Sequence, residues 1–184
     1  MRAAVALLCA AWLAAAPARA QAPAAKPDAA PAATYATGDA WIDRQLEDID
    51  AYARRYPASF LDELSRYRDV RRGYAEAVLD APGWRAGDLY FACAWAQATG
   101  QSCRAMVRER SADAGRAWEA VLAAQGEPDN LAYREVRHAI VASYDRWERP
   151  IVLDARLREQ LGDAAQRLER ARAAHATPED APSR

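Results

Sequence analysis

The chain has 184 residues, of which 25 are Lys or Arg and 26 are Asp or Glu, so its formal net charge is −1. This balance creates no long-range field that would attract nucleic acid or an anionic membrane, which argues against both as partners. The length fits one domain with a hydrophobic core, and the chain carries six Trp and eight Tyr. Lys26 is the one lysine of the chain, which has 24 Arg. We attribute this preference for arginine over lysine to base composition rather than to a function of arginine.

The first twenty residues have the features of a secretory signal peptide. Met1 and Arg2 give a positive start, and residues 3–16 are apolar but too short to span a bilayer. In the run Ala-Arg-Ala at residues 18–20, Ala18 and Ala20 provide small side chains at the two positions that a signal peptidase recognises. We therefore expect cleavage after Ala20 and export to the periplasm or the medium. Cleavage removes two of the 25 basic residues and no acid, which leaves 23 basic against 26 acidic residues, a net charge near −3.

The predicted domain lies between two segments of low complexity. Residues 21–38 are rich in Ala and Pro and have little to bury, which predicts a disordered linker. Residues 176–184 have the same character and predict a disordered tail. In residues 39–175 apolar side chains recur at helical spacing almost throughout, and no strand pattern competes, so this segment is predicted to be one helical domain.

The first two predicted helices precede a turn at residues 81–83. Asp39 is the predicted cap of a helix that ends at Pro57. A second helix is predicted to start at Ser59, with this serine as its cap, and to run without a break to the turn. The residues that we expect to be buried are Ile42, Leu46, Ile49, Ala53 and Tyr56 in the first helix and Phe60, Leu61, Leu64, Tyr67, Tyr74 and Val78 in the second.

The third predicted helix is the central one. Asp88 is its predicted N-cap, and residues 89–98 are apolar nearly all round, which is typical of a buried helix. Gly100 ends it, and Ser102 is expected to cap a short fourth helix.

Three more helices are predicted, over about residues 116–124, 130–147 and 152–175. The last one carries Leu157, Leu161 and Leu168 in a heptad-like seam. We favour the interpretation that this seam closes the bundle, and the alternative is that it binds a partner or a second copy of the chain.

Cys93 and Cys103 are the cysteines that remain after cleavage, and an oxidising compartment favours a disulfide between them. If the third helix runs to Thr99, Cys93 lies roughly 9 Å along the axis from the helix end at 1.5 Å per residue. A disulfide needs Cα atoms within about 7 Å. Two alternatives therefore stay open. In the first, the helices cross steeply or the third helix ends early, and the bond forms. In the second, the pair remains as two buried thiols.

The sequence predicts no catalytic, cofactor-binding or metal site. His138 and His175 lack neighbours at metal-ligand spacing, and no serine lies in a Gly-flanked elbow. Asp88 and Glu119, each near a tryptophan, are the carboxylates that could serve a hydrolase of cell-wall glycan or peptide. Asp88 has a simpler role as a cap, and Glu119 is expected on the exposed face of its helix.

Aromatic side chains cluster after the Pro-Gly turn. Some of them could line a ligand groove, although aromatic residues on a central helix more often belong to the core. Together with the last helix, this region supplies the predicted ligand or partner surface, which comprises Trp84, Tyr90, Leu157, Leu161 and Leu168.

Residues 83–103 carry a resemblance. The run Gly-Trp-Arg-Ala-Gly-Asp-Leu-Tyr-Phe-Ala-Cys-Ala-Trp-Ala at residues 83–96, followed by Gly100 and Ser102-Cys103, resembles a segment of small exported helical proteins of bacteria. In those uncharacterised proteins a GW-x-x-GD-x-Y-x-A-x-A run precedes a Gly turn. The resemblance implies export and helices but no activity, and no functional residue is carried over from it.

These patterns predict an all-α fold, a single orthogonal or irregular bundle of about six to seven helices. The favoured function is a non-catalytic envelope module without a cofactor, which binds an unknown partner protein; its oligomeric state stays open. The alternatives are a carboxylate-dependent hydrolase and a self-contained structural protein. An enzyme would show an open cleft with a desolvated Asp or Glu, whereas a binding module would show an exposed apolar patch on an outer helix.

Overall fold

The computed structural model describes residues 35–113, 116–126 and 129–175. The predicted signal peptide, most of the predicted linker and the predicted tail lie outside these residues. The described residues are helical without a strand, as predicted, and belong to one compact unit. None of their helices has both the length and the apolar character needed to cross a bilayer. In chain order the helices are α1 (Ala40–Arg55), α2 (Pro57–Tyr67), α3 (Arg72–Leu79), α4 (Ala86–Ala98), α5 (Cys103–Ser111), α6 (Trp118–Ala123), α7 (Asn130–Arg146), α8 (Ala155–Leu161) and α9 (Ala164–His175).

Helix α4 is the centre of the bundle. Every residue from Leu89 to Ala96 is at most 3% exposed, which confirms the prediction of a buried central helix. Helices α1, α5 and α7 pack around it. Each side of α4 therefore meets another helix, which explains why its sequence has no polar face.

The first turn of α4 differs from the prediction. The helix begins at Ala86 with Arg85 at the cap position, so Asp88 lies at the third helical position, where its carboxylate accepts from the Arg85 backbone N–H at 3.3 Å. Gly87 allows this earlier start, because its N–H donates to Asp50 and an added Cβ would lie 2.3 Å from the hydroxyl of Tyr35. The prediction of Asp88 as N-cap is therefore wrong, and its carboxylate belongs to a capping box.

The folded region starts earlier than predicted. Tyr35 is 3% exposed and donates to Asp50 at 2.5 Å, and Thr37 is fully buried and donates to Asp43 through both its backbone N–H and its hydroxyl. The predicted linker is thus wrong at its last four residues, because its Ala/Pro-rich composition obscured two anchoring side chains.

Helix α1 has the predicted cap and face. The Asp39 carboxylate accepts from the N–H groups of Trp41 and Ile42. Pro57 ends α1 but also begins α2, because its fixed φ suits the first helical turn. Ser59 therefore lies inside α2 and is not its cap.

The predicted second helix is two helices. The chain leaves the helical path after Tyr67, and Asp69 takes a left-handed conformation with φ +53°. Val70 is then 4% exposed, and α3 begins at Arg72. Periodicity marked Phe60, Leu61, Leu64 and Val78 correctly as buried, but it carries no information on whether the backbone between them is continuous. Tyr56 and Tyr67, expected in the core, are 46% and 44% exposed.

The predicted last helix is also divided. Gly162 has φ +73° and separates α8, which is capped by Asp154, from α9. Leu157 is 1% exposed, whereas Leu168 is 51% exposed. The predicted continuous seam is therefore wrong, because the glycine redirects the chain after α8.

A sharp reversal after α4 brings the two cysteines together. Helix α4 does run to Ala98, but Gly100 has φ +70° and the N–H of Gln101 donates to the carbonyl of Ala96 at 2.7 Å. The chain is thus already beside Ala96 two residues before Cys103. The Cα atoms of Cys93 and Cys103 lie 4.3 Å apart and their Sγ atoms are at bonding distance, which decides between the two alternatives in favour of the disulfide. Ser102 caps α5 as predicted, accepting from the N–H of Ala105.

Candidate functional site

The five residues of the predicted partner surface lie in different environments. Tyr90 is fully buried and Leu157 is 1% exposed, so the structure corrects their placement: both are core residues. Trp84 is partly buried and donates from Nε1 to Ser111 at 3.2 Å, and Leu161 is also partly buried. Of the five, Leu168 alone is largely exposed. They do not form one surface.

The two candidate carboxylates have no cleft between them. Asp88 is 2% exposed, accepts from Trp118 Nε1 at 2.8 Å and pairs with Arg85 at 3.3 Å. The bond from Trp118 joins α4 to α6, and the pairing with Arg85 closes the first turn of α4, so the role of Asp88 is structural. Glu119 is exposed on α6, as expected, and neither carboxylate lines the cavity described below.

Metal ligation has no support in the described ranges. There, no three His, Cys, Asp or Glu side chains are grouped so that they could hold a metal. His138 Nε2 lies 3.0 Å from the amide oxygen of Gln160. The side chain of His175 is outside the described part of the chain.

A buried polar cluster connects α2, α4 and α7. Ser143 donates to Glu63 at 2.6 Å, and the hydroxyls of Ser143 and Tyr90 are 2.7 Å apart. Arg68 Nη2 donates to the hydroxyl of Tyr90 at 2.7 Å and to the Ala139 carbonyl at 3.0 Å. Burial raises the pKa of Tyr90 although the charge of Arg68 opposes that rise, so the phenol remains neutral.

Arg68 is the positively charged member of this cluster, and it lines a cavity. It follows the last residue of α2 and is 7% exposed, with Nη1 donating to Gln97 at 3.0 Å. The nearest carboxylate oxygen, on Glu63, is 4.0 Å away, and the enclosed Nε of Arg68 makes no hydrogen bond. A buried guanidinium with incomplete pairing is costly unless something else compensates for it. Arg68 is therefore a rigidly held positive charge that the surrounding protein neutralises only in part.

The cavity that Arg68 lines has a volume of about 630 Å³. It lies where the connection between α2 and α3 faces the turn between α4 and α5, and we call it the arginine cavity. Three arginines line it against one carboxylate, that of Asp69. Its residues are Arg68, Asp69, Val70, Arg71, Tyr74, Gln97, Gln101, Ser102, Cys103 and Arg104.

The two outer arginines have no acidic partner among the described residues. Within the described ranges, Arg71 and Arg104 make no ion pair with any carboxylate. The Arg104 guanidinium lies 4.8 Å from the ring centroid of Tyr74, which holds it over the ring. The start of α5 at Cys103 adds the positive end of a helix dipole to the same wall. The cavity thus offers cationic donors in excess, which is the donor set that carboxylate and phosphate groups prefer.

Sequence reasoning missed this site. The run Arg-Asp-Val-Arg-Arg at residues 68–72 is the sequence feature that could have indicated it. This run was not considered as a site, because the abundance of arginine was attributed to base composition. Comparison of the chain with protein-family models, with curated protein sequences and with solved structures finds no match.

Proposed function

We propose that this protein is an exported, non-catalytic binding protein, and that the arginine cavity binds a ligand through a carboxylate or phosphate group. The observation that carries the proposal is the excess of arginine over acid around one cavity, with Arg68 nine-tenths buried at its edge. Export rests on the predicted signal peptide.

Preorganisation is the physical reason for choosing this cavity. The hydrogen bonds of Arg68 to Tyr90, Gln97 and Ala139 fix its side chain before any ligand arrives. A ligand therefore does not have to order or desolvate this guanidinium on binding, and more of the interaction energy appears as affinity. The volume lies in the range of small-molecule sites.

The lining supports binding rather than catalysis. Ser102 is engaged as the cap of α5, and the sulfur of Cys103 is at bonding distance from Cys93. The remaining polar groups are arginine guanidiniums, glutamine amides, the phenol of Tyr74 and the carboxylate of Asp69. Asp88, one of the two candidate carboxylates of the hydrolase alternative, already bonds to Trp118 and Arg85.

The test is calorimetric titration of the protein, purified after export, with inorganic phosphate and separately with citrate. We expect saturable binding that weakens as salt is added. Arg71→Gln and Arg104→Gln should each lower the affinity about tenfold or more, because a hydrogen bond to a charged group contributes roughly 1.5–3 kcal/mol.

Arg44→Gln is the matched control, since Arg44 is exposed on α1 outside the cavity and the charge change is the same. Binding of phosphate alone or of citrate alone would identify the oxyanion that the cavity prefers. Absence of saturable binding, or equal losses in the control variant, would overturn the proposal and favour the self-contained structural protein.

A further inference from the structure

The arginine cavity contains a negative charge that the binding of a simple anion does not use. Asp69 supplies the carboxylate of the lining, beside the guanidiniums of Arg68, Arg71 and Arg104. Asp69 is exposed, and its carboxylate makes no ion pair and no hydrogen bond with another described residue. This carboxylate repels phosphate and citrate, so a cavity that served only to attract anions would bind them better without it.

The end of α2 explains the backbone of Asp69 but not its charge. The left-handed conformation closes the helix, with the N–H of Val70 donating to the carbonyl of Leu64 at 3.4 Å. Glycine or asparagine serves such a position without placing a negative charge beside the carbonyl end of a helix. The carboxylate does not cap α3 either, because no side chain accepts a hydrogen bond at the start of that helix. The folded structure therefore gains no contact from the charge of Asp69.

The opposite charges of the cavity stay apart because other contacts hold two of the guanidiniums. Arg68 donates to the hydroxyl of Tyr90 at 2.7 Å, and the guanidinium of Arg104 lies 4.8 Å from the ring centroid of Tyr74. The lining thus presents positive and negative groups that do not neutralise each other, and a ligand in the cavity can meet both.

A ligand that matches this lining carries both signs of charge in one molecule. Three guanidiniums repel an isolated cation, and the described residues form no group of three metal ligands. Asp69 repels a simple anion. An ammonium group joined to two carboxylates satisfies both sides, since the ammonium donates to Asp69 and the carboxylates accept from the guanidiniums. Glutamate has this pattern, with more negative than positive groups, as the lining has more positive than negative groups.

We infer that the arginine cavity binds the amino end of an acidic amino acid, free or as the first residue of a short peptide, and that Asp69 recognises its ammonium group. This inference rests on the proposed function of the same cavity, which it narrows from any oxyanion to an amino dicarboxylate. The repulsion between Asp69 and other anions then contributes to specificity, because it disfavours ligands that lack the ammonium. The volume of about 630 Å³ accommodates either source of the ligand.

The test is calorimetric titration of the exported protein with L-glutamate, with N-acetyl-L-glutamate and with the dipeptide Glu-Glu. Acetylation removes the ammonium and makes the ligand more negative, so a cavity that only attracts anions would bind the acetylated compound more tightly. We expect the opposite order, with glutamate bound about tenfold more tightly, because a hydrogen bond between charged groups is lost on acetylation. The tighter ligand of glutamate and Glu-Glu identifies the source as the free amino acid or the peptide.

Asp69→Asn should reverse this order, so that N-acetylglutamate binds more tightly than glutamate. The variant keeps the left-handed conformation, which asparagine tolerates, so the reversal does not arise from unfolding. Asp80→Asn is the matched control, since Asp80 is exposed at the end of α3, lies outside the cavity and undergoes the same change of charge. It should retain the order of the unaltered protein.

Two results would overturn the inference. One is glutamate binding no tighter than N-acetylglutamate in a protein that binds citrate. The other is the same ratio of the two affinities in Asp69→Asn and in the unaltered protein. Both results leave the arginine cavity as a site for anions, whereas failure of phosphate and citrate to bind would overturn the proposed function itself.

Discussion

Asp69 is the residue that opposes anion binding in the arginine cavity. It supplies the one carboxylate of the lining and adopts φ +53°, a conformation that asparagine tolerates well. Its charge therefore lowers the positive potential that Arg68, Arg71 and Arg104 create. A single substitution at Asp69 can therefore remove the negative charge while the backbone conformation stays the same.

Asp69→Asn should tighten citrate binding several-fold, because it removes a negative charge near three guanidiniums and keeps the left-handed turn. The free energy of unfolding should change by less than about 0.5 kcal/mol, as for other exposed substitutions. Titrations at low and high salt check this, since the gain should shrink as salt screens the charge. An affinity that does not rise at low salt would contradict the electrostatic account.

At the scale of elements, the turn between α4 and α5 positions both a covalent link and a wall of the arginine cavity. Cys103 is the first residue of α5 and lines the cavity, and its partner Cys93 lies on the buried helix. The disulfide thus connects the first residue of a short helix to the buried central helix of the bundle. Helices shorter than about 12 residues are marginal without tertiary contacts.

The double variant Cys93→Ala, Cys103→Ala should lose about 2–3 kcal/mol of unfolding free energy, the expected effect of a crosslink that closes a loop of about ten residues. It should also weaken citrate binding several-fold, because the start of α5 is no longer fixed. Chemical denaturation and calorimetry measure the two effects. Citrate affinity equal to that of the unaltered protein would show that α5 is positioned by packing alone.

The elements that the sequence predicted correctly are those governed by local chemistry. The 3.6-residue spacing of Ile42, Leu46 and Ile49 and the caps at Asp39 and Ser102 require only neighbouring residues, and they were confirmed. The break at Asp69 has no glycine or proline to mark it. It depends on Arg68 turning inward to partners 22 to 75 positions away along the chain, which no local pattern contains.

At the scale of the whole molecule, the buried polar cluster connects arginines from two parts of the bundle. Arg68 lines the arginine cavity, Arg146 lies at the end of α7, and Glu63 lies between them, accepting from Arg146 Nε at 2.9 Å. Glu63 is 3% exposed, so its charge is compensated by these arginines and by Ser143 rather than by water. One carboxylate therefore balances the charges of two arginines that lie far apart in the sequence.

Glu63→Gln should cost about 3–5 kcal/mol of unfolding free energy, since it leaves two partly buried guanidiniums without their shared counter-charge. Thermal unfolding measures the loss. Asp62→Asn, on the same helix but 52% exposed in its side chain, is the control and should change stability by about 1 kcal/mol or less. Similar losses in both variants would contradict the assignment of Glu63 as the central charge.

Because of the break at Gly162, α9 and the core of the bundle do not unfold in one cooperative step. Beyond it, no residue from 164 to 173 is buried, and the helix is held to α7 chiefly through Arg167, which donates twice to Asp145. A helix with so little apolar contact opens at a small fraction of the free energy needed to unfold the core. Amide hydrogens of α9 should therefore exchange early as a group, while those of α4 exchange only when the whole domain unfolds.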